Sequence, residues 1–159
     1  LQQITSVAAI LPAAPDLIAA SVAFKARVVM ADEHEQGQRQ LLNFGHTIGH
    51  AVELLADGQL MHGEAVAIGL VQVCRLFAAH GLAPTSLTST LKARLMAVGL
   101  PTELPPIAPQ AVAAVMQHDK KVHGTALTWV YLSAVGQPHL YPIAVTDLAT
   151  WMGDLWSVS

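Results

Sequence analysis

Between Arg39 and Glu64 the chain reads RQLLNFGHTIGHAVELLADGQLMHGE, and its chemistry-bearing side chains recur at helical intervals. Read as one helix over 39–57, the stretch puts Arg39, Asn43, His46, His50 and Glu53 at steps of four, three, four and three, a single polar stripe. The other positions, Leu41, Leu42, Phe44, Ile48, Val52, Leu54 and Leu55 among them, are nearly all apolar. Such a helix is largely buried, so its stripe must face something that satisfies it: a water-filled cleft, a metal or a ligand. His62 follows a break at Asp57-Gly58, where glycine suits a helix end, and a chain that turns there brings His62 back beside the first helix. Imidazole nitrogens are borderline ligands suited to zinc, and a catalytic zinc takes about three protein ligands with a further position left for water or substrate. The competing reading is of core histidines bonded to backbone or to each other; it weakens because Arg39, Asn43 and Glu53 share the stripe.

The run KARVVMADEHEQGQRQLLNFGHTIGHAVE, followed by HGEAVAIGL, resembles the second half of the 3-dehydroquinate synthases, zinc- and NAD-dependent enzymes of the shikimate pathway. The resemblance is close over Lys25–Leu70, with a further piece at Asp119-Lys120-Lys121. It lies in the combined spacing of Lys25, Glu35, Gly37, Arg39, Asn43, His46, His50 and His62. It implies that His46 and His62 are two ligands of zinc (or cobalt), that His50 is the nearby acid/base histidine, and that Glu35 is a further active-site carboxylate. Lys25, Arg39, Asn43 and Lys120 or Lys121 would hold the carboxylate and phosphate of a sugar-acid phosphate. The implied reaction converts 3-deoxy-D-arabino-heptulosonate 7-phosphate to 3-dehydroquinate and phosphate. In the family an amino-terminal domain carries the NAD site and the third zinc ligand, and the full enzyme is a homodimer. That domain is absent from this chain, so no NAD-binding residue is assigned here and the isolated fragment is expected to be inactive.

The residue types suit these roles. A guanidinium such as that of Arg39 offers planar, two-pronged recognition of a carboxylate, whereas lysines act as point charges on phosphate oxygens. An imidazole ordinarily titrates near neutrality and serves as a proton carrier. Other readings are a related sugar-phosphate cyclase, the helical half of a metal-dependent alcohol dehydrogenase, and a non-catalytic helical binding module whose histidines only pack. The run N-F-G-H-T-x-G-H with Lys25 and Arg39 favours 3-dehydroquinate synthase over the other cyclases, and a dehydrogenase would not need the set Lys25, Arg39 and Lys120/Lys121.

A length of 159 residues suits one domain with a real core. Hydrophobic content of 53% against 12% charge leaves apolar surface for another domain or subunit to cover. A net charge of -3 without a basic run argues against nucleic acid. The four lysines are Lys25, Lys92, Lys120 and Lys121, and three of them fall in the segments that carry the resemblance. Cys74 has no second cysteine to pair with and is expected to be a small buried hydrophobe in a reducing, cytoplasmic compartment. The opening LQQITSVAAILPAAPDL lacks a basic start and is interrupted by Pro12, Pro15 and Asp16, unlike a signal peptide. A start at Leu1 without methionine points to a piece of a longer protein. The longest stretch without Asp, Glu, Lys or Arg, 122–146, contains His, Gln, Gly and Pro, so no membrane span is expected there.

The elements that must position these residues are mainly helical: a multi-helix domain over 1–159 corresponding to the C-terminal half of a dehydroquinate synthase-like fold, with a small β-hairpin or short strands near the C-terminus. The first helix is expected from Pro15-Asp16 to about Asp32, followed by the polar connector ADEHEQGQ. Gly45 and Gly49, inside the helix over 39–57, imply a close approach of backbone or ligand. The next helix runs from His62 to about His80 with Glu64 as an N-terminal carboxylate, and a fourth, capped by Ser86 or Thr88, runs through Val98. A short helix over Gln110–His118, strands in ALTWVYL and HLYPIAV, and a last helix from Thr146 to about Trp156 complete the chain. Trp129, Trp151 and Trp156 are expected in the core, and His80, His118, His123 and His139 to be structural.

Overall fold

A computed structural model describes residues 6–34, 37–118 and 122–157. Helix α1 spans Ile10–Ala31, α2 His46–Leu55, α3 His62–Ala79, α4 Thr85–Ala97, α5 Pro109–Gln117 and α6 Leu148–Ser157. Strands β1 (Val122–His123), β2 (Ala126–Ala134) and β3 (Gln137–Ala144) form an antiparallel sheet in the order β1-β2-β3. The mainly helical reading with a C-terminal hairpin therefore holds, with one short strand added.

Helix α1 begins at Ile10, five residues before the expected start, and runs through Pro15. Pro12 falls in its first turn, where a missing N–H needs no partner, and the surrounding alanines favour helix strongly enough to absorb the one bond that Pro15 removes. Helix α4 starts at Thr85 behind an extended Pro84, with no side-chain cap, so Ser86 and Thr88 lie inside it. Helix α6 begins at Leu148 after a 3-10 turn over Val145–Asp147, two residues later than expected from Thr146.

The largest correction falls on the polar stripe. Residues Gln38–Asn43 form a 3-10 helix, Phe44 turns away from helical dihedrals (φ -54, ψ 123), and Gly45 takes φ 77 before α2 begins. Arg39 and Asn43 thus stand on one element, and His46, His50 and Glu53 on the next. Gly45 is the cause: φ 77 suits glycine alone, and a Cβ built there would meet Leu70 Cδ2 at 2.8 Å and Leu70 N at 2.9 Å.

The close approach expected at Gly45 and Gly49 is a crossing of backbones. A Cβ at Gly49 would lie 3.1 Å from the Ala65 oxygen and from Val66 Cα. Across the crossing, a methyl group on Gly69 would overlap the Gly45 carbonyl oxygen and sit 2.8 Å from the Gly49 nitrogen. The expected break after α2 is present as a turn in which Asp57 (φ 46) and Gly58 (φ 79) reverse the chain toward α3.

Helix α3 is the core helix: Ala65, Ile68, Val71, Val73, Cys74, Leu76 and Phe77 are all buried. It packs with Ile48 and Val52 of α2, Val112 and Met116 of α5, Leu127 and Trp129 of β2, and Leu148, Met152 and Leu155 of α6. Phe77 stacks on Tyr131 at 4.5 Å between centroids and meets Tyr141 edge-on at 5.6 Å. Cross-strand pairing aligns those two tyrosines' strands, Trp129 opposite Tyr141 and Tyr131 opposite His139. Trp129 is wholly buried, while Trp151 and Trp156 are partly buried against the core, so the tryptophans pack as expected. His80 stacks on Trp151 at 3.9 Å, and His139 lies 2.8 Å from Ser133 Oγ, both structural roles.

Cys74 is 1% exposed, and burial pushes its thiol up to about 11 from 9.0. The folded thiol keeps its proton up to about pH 11, whereas the unfolded thiol releases it near 9. Between those values the unfolded state binds fewer protons, so stability falls as pH rises, by about 2–3 kcal/mol in all. Two measurements check this: denaturant unfolding from pH 8 to 11, compared with Cys74→Ala, and a thiol reagent that should label the native chain only as fast as it unfolds.

Among the described residues two helical stretches are long and apolar enough to cross a membrane, Val7–Ala31 and His62–Ala79. The second is the core helix. The first is unburied and presents Leu11, Ile18, Val22, Phe24 and Met30 to solvent, while α1 packs against the 38–43 turn.

Candidate metal centre

Two helix starts and one helical turn bring the imidazoles together. His46 is the first residue of α2, His50 follows one turn along the same face, and His62 is the first residue of α3. One ring nitrogen from each falls within a group whose members all lie within 4.8 Å of one another. The ring centroids are 5.4 Å apart for His46 and His50, and 5.7 Å for each of the other two pairs.

The ring orientations are set by the partners of Nδ1. His46 Nδ1 lies 3.1 Å from the Phe44 carbonyl oxygen, which the Phe44–Gly45 turn fixes beside it. His62 Nδ1 lies 2.8 Å from Glu53 Oε2, near the end of α2. When each Nδ1–H donates to its oxygen, each Nε2 keeps a lone pair for a ligand bond. Glu64 stays out of the group, as expected: its Oε2 accepts from the Met61 N–H at 2.8 Å and caps α3.

The donor set suits a borderline divalent ion. Metal–nitrogen bonds of about 2.0–2.1 Å place tetrahedral ligands about 3.4 Å apart, so ring nitrogens within 4.8 Å of one another need close by up to about 1.4 Å. His50 and His62 are exposed and His46 is half-buried. Beside them His50, Glu53, Leu54, Asp57, Gly58 and Leu60 line a cleft of about 470 Å³, the kind of space the polar stripe required.

The anion-binding candidates are placed in part. Lys25 is exposed on α1, and α1 packs against the 38–43 turn that carries Arg39 and Asn43 and leads directly into α2. Asp32 builds that connection: its Oδ2 accepts the backbone N–H of Gly37 at 2.8 Å and of Arg39 at 2.9 Å. Arg39 Nη1 donates to the Glu33 carbonyl at 2.6 Å. Glu35, Lys120 and Lys121 lie outside the described residues. Sequence reasoning gave no role to Asp32, Gly69 or the Phe44 carbonyl, and had Glu53 only as a member of the stripe. Glu53 alone carried a signal, the three-residue step from His50.

The fold and the histidine cluster together define a mainly helical domain that carries a candidate metal site. A crystal structure of 2-deoxy-scyllo-inosose synthase complexed with carbaglucose-6-phosphate, NAD+ and Co2+ matches with a TM-score of 0.69 and 28% identity, over 82% of this chain and 38% of that one. The family model for the 3-dehydroquinate synthase C-terminal domain matches residues 2–122, and the chain belongs to that family. It is 99% identical over 159 residues to the 3-dehydroquinate synthase of Lactiplantibacillus plantarum, covering 100% of this chain and 44% of that protein. With the 3-dehydroquinate synthase of Latilactobacillus sakei it shares 51% identity over 149 residues, 94% of this chain and 41% of that protein. The chain thus spans less than half the length of these relatives.

Proposed function

We propose that this chain supplies the metal-binding and anion-binding part of a 3-dehydroquinate synthase, converting 3-deoxy-D-arabino-heptulosonate 7-phosphate to 3-dehydroquinate and phosphate. The observation that carries the proposal is the convergence of His46, His50 and His62, with ring nitrogens within 4.8 Å, in a chain so similar to proteins of that name. His46 and His62 hold a zinc or cobalt ion through Nε2, their Nδ1 atoms being engaged by Phe44 and Glu53. When bound, the ion supplies Lewis-acid chemistry at substrate oxygens and NAD supplies the redox chemistry; the 2-deoxy-scyllo-inosose synthase structure carries NAD+ and Co2+.

His50 takes up and returns a proton at a substrate hydroxyl, standing one helical turn from His46 on the rim of the cleft. Arg39 clamps the substrate carboxylate in a two-pronged grip, with Asn43 beside it on the same turn. Lys25 and Lys120 or Lys121 hold the phosphate as point charges, and Glu35 adds an active-site carboxylate. NAD is held by the amino-terminal part that the longer relatives possess. The exposed Leu11, Ile18, Val22, Phe24 and Met30 of α1 give that part an apolar surface to cover.

The test joins this chain to the amino-terminal part of the Lactiplantibacillus plantarum relative and follows phosphate release from several heptulose and hexose phosphates. The joined protein is expected to turn over the heptulosonate phosphate, and the isolated chain to fold without turning anything over. Preference for a hexose phosphate would instead support the cyclase reading favoured by the likeness to 2-deoxy-scyllo-inosose synthase, and turnover by the isolated chain would overturn the division of labour.

A further inference from the structure

Resting on the metal site proposed above, we infer that Glu53 is a positioning residue for His62, holding the ring in the Nδ1–H tautomer with Nε2 turned toward the ion. The two candidate ligands at helix starts are oriented by different means. His46 leans on a main-chain carbonyl, that of Phe44, which no substitution removes. His62 leans on a side chain: Glu53 Oε2 lies 2.8 Å from Nδ1. His62 needs that support more, because its side chain is 56% exposed whereas His46 is half-buried.

The contact joins the last turns of α2 to the first residue of α3, so it ties together the two elements that carry the whole cluster. Three residues beyond His50 and seven beyond His46, Glu53 lies on the histidine face of α2 and forms part of the cleft wall. A neutral imidazole has two tautomers and two flip states, and only some of these aim a lone pair at a shared ion. A carboxylate accepting from Nδ1–H selects among them and increases the donor strength of Nε2. Glu53 is not itself among the grouped ligand atoms. Its action therefore runs through His62.

The joined protein tests this by zinc competition against a chromophoric chelator, with Glu53→Ala, Glu53→Gln, His62→Ala and the double variant. Glu53→Ala is expected to weaken zinc binding roughly 10–100-fold. Glu53→Gln should fall between it and the parent, because the amide oxygen still accepts from Nδ1–H. On the His62→Ala background Glu53→Ala should change nothing further. Nitrogen NMR of the His62 ring in metal-free protein adds a second readout: the parent should show the Nδ1–H tautomer and Glu53→Ala should lose it. The side chain of Glu53 is 35% exposed and its contact joins two helices, so thermal melting is recorded for each variant to separate a loss of zinc from a loss of stability. If His62→Ala loses zinc while Glu53→Ala keeps it, or if Glu53→Ala weakens binding equally on the His62→Ala background, the inference is overturned and the metal site stands. If His62→Ala binds zinc as tightly as the parent, the metal site itself falls and the inference with it.

Discussion

Replacing His62 with alanine is expected to weaken zinc binding by well over the roughly 10–100-fold that loss of an outer hydrogen-bond partner costs, and to remove synthase turnover with it. The substitution takes away the one ring that α3 contributes and leaves two imidazoles on α2. With His50 assigned to proton transfer, His46 and one ligand from the rest of the enzyme make two, one short of the about three protein ligands that a catalytic zinc needs. The fold should not notice: His62 is 56% exposed and is not a member of the buried core. Metal content after dialysis, read beside a denaturant unfolding curve, separates the two effects. Retained zinc, or a loss of zinc that merely tracks a loss of stability, would contradict the assignment. His46→Ala should lose metal in the same way.

Gly69→Ala is expected to be among the most destabilising single-methyl additions in the chain. The new methyl would overlap the Gly45 carbonyl oxygen and approach the Gly49 nitrogen at 2.8 Å. Both neighbours are backbone, and neither can rotate away. Overpacking a core typically costs about 1–3 kcal/mol, and a clash with main chain on both sides belongs at or above the top of that range. Helices α2 and α3 must separate to accept it, which moves His46 and His50 away from His62. Zinc affinity should therefore fall although Gly69 touches no ligand. Urea unfolding measures the stability loss and chelator competition the second effect. Gly153→Ala, on α6 with open space at its Cβ, is the control and should be neutral or stabilising by up to about 1 kcal/mol. A Gly69→Ala chain as stable as the parent would show that the crossing is looser than its geometry.

Much of the molecule was written in local order. The apolar run after His62 announced a core helix, the alternation in ALTWVYL and HLYPIAV announced the hairpin, and the spacing from Lys25 to His62 carried the family resemblance that the family model bears out. Such features depend on residues two to four apart, whose relation along a helix or strand is fixed by backbone geometry before anything packs. The notion of one continuous stripe from Arg39 to Glu53 failed for the complementary reason. Gly45 reads locally as a helix-interior glycine, and only the closeness of Gly69 and Leu70 on α3 turns it into the break that starts α2. The start of α1 at Ile10 likewise depended on how much the alanines outweigh Pro15, a balance that a single proline signal does not reveal. Asp32, which gathers the N–H groups of Gly37 and Arg39, left no mark in the periodicity because its partners are loop backbone. Histidine types and their spacing named the ingredients of a metal site. The α2–α3 crossing decided that three rings meet and that Glu53 reaches His62, since distances between elements follow from side-chain volume at the contact, which no period along one chain records.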